Sequence, residues 1–168
     1  MQLDSMEKLL VNELQDLFSA ESQLLKALPK MQNAASSHEL KEALKKHLAE
    51  TKLQAERLET ALNLLQADTK GQVCEAMKGL ITEAEEILNS SSSAILKDAA
   101  MIGAAQKIEH YEIAGYGTAK AHAKLLDLDE IADLLAETLE EESAADKKLT
   151  KIAEGSLFNS GVNKKASG

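Results

Sequence analysis

The chain has 168 residues, 44% of them hydrophobic, which is enough for one well-formed core and short for two. Aromatic residues make up only 2% and there is one proline, a balance that argues for packed helices and against a β-sandwich or barrel. A formal charge of −9, from 19 basic against 28 acidic side chains, disfavours nucleic acid and anionic membranes as partners.

Apolar residues recur at helical spacing along almost the whole chain. Leu3, Met6, Leu10, Leu14, Leu17, Leu24, Leu28 and Met31 form one stripe, predicting a first helix from Leu3 to Ala34. Pro29 lies near its end and is expected to bend the last turns without ending the helix. Ser36-Ser37 then caps a second helix, which runs to Leu65 on Leu40, Ala43, His47, Leu58, Ala61 and Leu65. The short gap between the two makes them antiparallel neighbours.

From Asp68 to Ser93 the pattern changes. Lys70-Gly71 breaks the chain, a short amphipathic helix spans about Val73 to Leu88, and Asn89 to Ser93 end it. This is far more chain than a tight turn needs, so it reads as a crossover along the length of a bundle. A third helix, Ala94 to Ala123, rests on Ile95, Ala99, Ile102, Ile113, Tyr116 and Ala119. Asp127 and Asp129 mark the next N-terminus, where acids complement the helix dipole. A fourth helix then runs to Ala153 on Leu128, Ile131, Leu135, Leu139, Leu149 and Ile152. Residues 155–168 form a polar tail expected to fray. Short loop, long crossover, short loop is the topology of a ferritin-like four-helix bundle, here over residues 1–154.

Each long helix interrupts its own apolar stripe with acid near its midpoint. Glu21 lies between Leu17 and Leu24, and Glu50 and Gln54 between His47 and Leu58. Glu109 and Glu112 lie between Ile102 and Tyr116, and Glu142 and Asp146 between Leu135 and Leu149. From Glu21 to Glu50 is 29 residues and from Glu112 to Glu142 is 30, so antiparallel pairs with short loops bring all four helices' acids to one level. Carboxylates buried together cost many kcal/mol through desolvation and repulsion. The seams offer almost no Lys or Arg at that level, Lys107 and Arg57 being expected to face out. Divalent cations, held by hard oxygen ligands, are the economical counter-charge.

A single Glu on such a stripe is most often a boundary residue reaching water; four helices doing so at one height is a different matter. In the run Glu140-Glu141-Glu142, periodicity turns Glu142 inward and leaves the others to solvent. His47 is open as a ligand, as a donor orienting a carboxylate, or as a half-buried helix residue, and the middle reading is favoured. Gln54 is open as a ligand through its amide oxygen but is favoured as orienting a neighbour, and Tyr116 reads as packing or orienting before a redox role. Cys74 reads as a small buried residue, and His38, His110 and His122 carry no role. The Glu-x-x-His signature of many ferritin-like sites is missing, since Leu53 and Ala145 stand where imidazoles would.

With one cysteine, no internal disulfide forms, which suits a reducing compartment. No run approaches 18 apolar residues and the start lacks a basic segment before an apolar one, so neither a membrane helix nor a signal peptide is expected and a cytoplasmic location is.

The segments Ala20 to Pro29, Cys74 to Ile81, Ala104 to Thr118 and Glu137 to Glu142, with Asp146 after them, resemble the YciF-type bacterial stress proteins. The likeness covers nearly the whole chain, through about Ala153. It implies a rubrerythrin-related bundle, a dimer, a dinuclear metal centre and induction under stress, and it supports Glu21, Glu50, Glu109, Glu112, Glu142 and Asp146 as ligands. Three functions fit. The first is a dimetal oxidoreductase acting on peroxide or dioxygen, peroxidase- or catalase-like. It would hold two Fe or Mn ions about 3.5–4 Å apart, bridged by Glu50 and Glu142, with Glu21 and Glu112 as terminal ligands and Glu109 as an extra one. The second is a metal-binding protein without turnover, and the third a structural or interaction protein. One cysteine cannot make the cysteine-ligated iron that would deliver electrons, so a peroxidase needs an external reductant. Leu9, Leu25, Leu44, Leu48 and Leu62 widen the apolar face of the first two helices and point to a homodimer.

Overall fold

The computed structural model describes residues 4–156 and 159–167, so Leu3, with which the first stripe begins, lies outside the described residues. Four long helices, α1 (Met6–Ala34), α2 (His38–Leu64), α4 (Ala94–Leu125) and α5 (Asp129–Glu154), make the bundle. A shorter helix, α3 (Glu75–Asn89), lies in the crossover and packs on α1 and α4, burying Met77 and Ala84. Helix α1 continues through Pro29 for five more residues.

The helix ends follow from local chemistry. The Ser5 hydroxyl accepts from the Lys8 amide at 3.2 Å and starts α1, and that of Ser37 accepts from Leu40 and starts α2. Helices α2 and α4 both close without glycine. Gln66 (φ 54°) and Asp127 (φ 58°) take the left-handed conformation, while Ala67 and Leu128 donate back to the carbonyls of Leu62 and Ala123. Asp127 therefore terminates α4, whereas the sequence reading had it open the following helix; Asp129 does begin α5. Between α1 and α2 the turn is tied to α4. Asp98, fully buried, accepts from the Ser36 amide (2.9 Å), the Ser36 hydroxyl (2.6 Å) and the Ser37 amide (2.6 Å).

The core comes in two apolar halves. One gathers Leu24, Leu28, Met31, Leu40, Met101 and Ile108; the other gathers Leu10, Leu14, Leu58, Leu62, Ile131 and Leu135. Leu44 and Leu62 belong to these interiors and are 3% and 0% exposed, so they contribute nothing to an outer apolar face. The segment after α5 does not fray as expected. Gly155 (φ 85°) reverses the chain, β1 (Gly155–Ser156) pairs antiparallel with β2 (Asn159–Ser160), and α6 (Val162–Ala166) packs on α4 and α5. Val162 supplies the apolar anchor, 2% exposed within the first core half. Gly161 lies directly on the Ala153 carbonyl, where no Cβ fits.

Candidate metal centre

Between the two apolar halves, three helices send polar side chains inward at one height. His47 comes from α2, Glu109 and Glu112 from adjacent turns of one face of α4, and Glu142 from α5. One ligand atom from each of these four buried residues lies within 4.8 Å of all the others. The His47 Nε2 is 3.4 Å from Glu109 and 4.0 Å from Glu142. From α1, fully buried Glu21 joins the same group, its Oε1 accepting from the Tyr116 hydroxyl at 2.5 Å.

Most of these atoms have no hydrogen-bond partner. Both carboxylate oxygens of Glu112 and of Glu142 are orphaned, as are Glu21 Oε2, Glu109 Oε2 and His47 Nε2. Buried polar atoms are almost always satisfied, so a nest of orphans calls for a missing counterpart. Electrostatics agree. Burial first, and then the charge of Glu142, push the Glu21 carboxyl up to about 8. Burial likewise drives Glu109 and Glu112 well above the usual carboxylate range, with the neighbouring glutamates adding to it. Among the described residues no Lys or Arg is ion-paired with any of the five.

Not every expected residue stands in this group. Glu50, three positions after His47 and so rotated sideways, faces a groove between α2 and α5 and is ion-paired with Lys46. Asp146, a turn beyond Glu142, accepts from Gln106 at 3.0 Å and lies 3.6 Å from His110. Gln54 is fully buried and donates to Glu141 at 3.0 Å, so the neighbour it orients is outside the cluster. His47, favoured as an orienting donor, sits among the carboxylates themselves. Of the four imidazoles it alone does so: His122 meets Glu13 at 2.8 Å, His110 is exposed, and His38 lies at the groove's edge.

Two further arrangements escaped the sequence reading. Arg57 does not face out: its side chain is 14% exposed and grips Glu141 (2.7 and 3.0 Å), Glu137 (2.5 Å) and Thr138 (3.3 Å). Burial alone would raise Glu141, but the Arg57 and Gln54 bonds outweigh it and hold the carboxyl below its usual range. Only Glu140 of the glutamate run is fully turned to solvent. The reach of a guanidinium across to the next helix leaves no mark in periodicity, although Arg57 one turn after Gln54 was available as a signal. Lys107 does face out, paired with Glu83. Cys74 is buried as expected, its sulfur 2.9 Å from the Tyr111 hydroxyl, which donates to Asp16.

Four long helices with a helical crossover, and inward carboxylates at one level, define a ferritin-like bundle. A two-domain protein of Anabaena variabilis that contains a ferritin-like domain aligns at a TM-score of 0.60 and 17% identity, over 92% of this chain and 40% of its own. More specifically, residues 5–167 match DUF892, described as a domain of unknown function, and the chain belongs to that family. Protein YciF of Escherichia coli K12 is 45% identical over 170 residues, 99% of this chain and 98% of its own. The crystal structure of that stress protein aligns at a TM-score of 0.85 over 88% of this chain and 94% of its own. YcfI from Rhodopseudomonas palustris aligns at 0.87 with 42% identity, over 90% and 97%.

Proposed function

We propose that the chain holds two divalent metal ions, iron or manganese, in its bundle core and acts on peroxide or dioxygen in a bacterial stress response. One observation carries this reading: His47, Glu109, Glu112 and Glu142 bring ligand atoms within 4.8 Å of one another in a buried place where their own atoms lack partners. The donor set fits the group. Carboxylates with one imidazole suit iron and manganese, whereas magnesium and calcium sites are built from oxygen alone. His47, Glu109, Glu112 and Glu142 would hold the ions, and Glu21, hydrogen-bonded to Tyr116, would add a further carboxylate. Glu50, ion-paired with Lys46, and Asp146, which accepts from Gln106, lie next to this set and would be its outlying carboxylates. Bound iron or manganese would supply the redox chemistry. The protein's own part is to fix the ligands, exclude water through the two apolar halves, and give up the proton that burial favours on Glu21.

The stress role comes from the E. coli relative, which is described as a stress protein. We also propose a cytoplasmic location and a homodimer, the latter on the half-buried Leu9, Leu25 and Leu48 that widen the apolar face of α1 and α2. Ion binding without turnover is a second reading, favoured by the single cysteine, Cys74, which leaves electron delivery to an external reductant. The deciding test is metal content by plasma mass spectrometry on protein purified without chelator, beside a Glu112→Gln/Glu142→Gln double variant. About two Fe or Mn per chain, lost in the variant, is expected. Wild-type protein that stays empty after incubation with Fe(II) and with Mn(II) sinks both readings. Loaded protein that leaves peroxide intact in the presence of a dithiol reductant selects the second.

A further inference from the structure

The cluster is sealed on most sides, its members being at most 7% exposed, yet one groove leads to it. That groove runs between the first half of α2 and the second half of α5, spans about 610 Å³ with its outer side open to solvent, and has Glu109 of α4 as part of its lining. Three properties define what it can take. The first is size: hydrogen peroxide, dioxygen or a hydrated ion needs little more than the ~30 Å³ of one water, and this space is roughly twenty times larger. Volumes of about 300–1,000 Å³ are those of pockets for organic ligands. The second is wall chemistry. Ala43 and Leu44 on α2 face Ala144, Ala145 and Leu149 on α5, which makes the sides aliphatic. The third is charge: Glu39, Glu42 and Glu50 at the rim are nearly offset by Lys46 and Lys148, and Lys46 is already committed to Glu50. The rim therefore selects strongly for neither ionic sign.

At the inner end the groove is polar. His47 and Glu109 both line it while nine-tenths or more buried, and His47 Nε2 and Glu109 Oε2 have no hydrogen-bond partner. An oxygen function delivered there would satisfy atoms that are otherwise costly to leave bare. We propose that this groove binds a small uncharged aliphatic molecule with a terminal oxygen function, an alcohol or an alkyl hydroperoxide, whose oxygen reaches the inner end: in ion-free protein it meets His47 and Glu109, and in loaded protein, where ions would engage those two side chains, it would meet the centre itself. In its consequence, delivery of an organic substrate to the cluster, the proposal rests on the metal-centre reading. The binding step itself needs no ion.

The test is a titration of the isotope-labelled, chelator-treated full chain, followed by amide chemical shifts, with 1-hexanol and tert-butyl hydroperoxide as probes and hexanoate as the charged control. Saturable shifts are expected at Ala43, His47, Ala145 and Leu149. Binding should weaken at least tenfold in Ala145→Phe and in Ala43→Phe, which fill the groove from opposite walls, with circular dichroism verifying their helix content. Binding by either neutral probe upholds the site, and the tighter one names the ligand's oxygen function. Shifts that stay linear and scattered, Phe variants that both bind like wild type, or hexanoate binding as tightly as hexanol would each overturn the proposal. Metal content of the same two variants keeps the readings apart: ions retained with hexanol binding lost speaks for the groove, while an empty wild-type protein counts against the metal centre alone.

Discussion

Helix α4 buries acid in two places, and the two are solved in opposite ways. Asp98 is 0% exposed and has three donors, two amides and a hydroxyl, all from the turn between α1 and α2. Glu109 and Glu112, about three and four turns further along the same face, are as buried but leave three of their four oxygens without a hydrogen bond. Burial of a carboxylate is thus no sign of function by itself. The presence or absence of donors separates a structural clasp from a cluster whose carboxylates lack a counterpart.

That contrast predicts stability effects of opposite sign. The largest is at the clasp. Asp98→Ala strips two amides and a hydroxyl of the α1–α2 turn of their charged acceptor and should cost about 3 kcal/mol in urea denaturation. A loss below about 1 kcal/mol would mean that the α1–α2 turn finds other partners. At the cluster the opposite holds: Glu112→Gln should stabilise the ion-free protein by about 1–3 kcal/mol at pH 8, because a neutral isostere removes repulsion and the need for a proton. That gain should vanish near pH 4.5.

The pH profile of the ion-free wild type carries the same logic. With the Glu21 carboxyl raised from 4.5 to about 8, the folded chain keeps a proton that the unfolded chain releases. Stability is therefore fully present below pH 4.5 and falls by a few kcal/mol as pH climbs through 8. Thermal melts from pH 5 to 8.5 should show the midpoint falling without ions and rising with Fe(II) or Mn(II) present, since ions displace the protons. A flat profile in ion-free protein would remove the electrostatic case for the centre. Smaller again is Arg57→Ala, expected to cost about 1 kcal/mol because its pairs with Glu137 and Glu141 are partly solvated. The least is Ser37→Ala, about 0.5 kcal/mol for a long capping bond at 3.4 Å.

The bundle was legible because each helix writes its buried stripe at fixed spacing and the crossover is conspicuous by length. Helix boundaries came within a few residues, and Glu21, Glu109, Glu112 and Glu142 lie together because matching loop lengths fix their height. What spacing could not settle was direction within a turn. His47 and Glu50 differ by three positions, about 60° around the helix, and the packing of α2 turns His47 into the cluster and leaves Glu50 with Lys46 at the groove. Asp98 went unread for a related reason: its partners are mostly backbone amides, which every residue carries. The left-handed closures at Gln66 and Asp127 likewise use residues that tolerate that backbone without announcing it as glycine does.

Val162 seals a core whose other members lie as far back as Ala20, and Gly161 seats it against Ala153 with no room for a side chain. Half of the interior is thus closed by residues more than 160 positions from the first. During synthesis the α1–α2 hairpin can form early, but a ribosome that stalls before Val162 releases a chain with one end of its interior uncapped. Such a fragment would display apolar surface where Val162 packs in the folded chain, so the first core half closes only once residues 161 and 162 are in place.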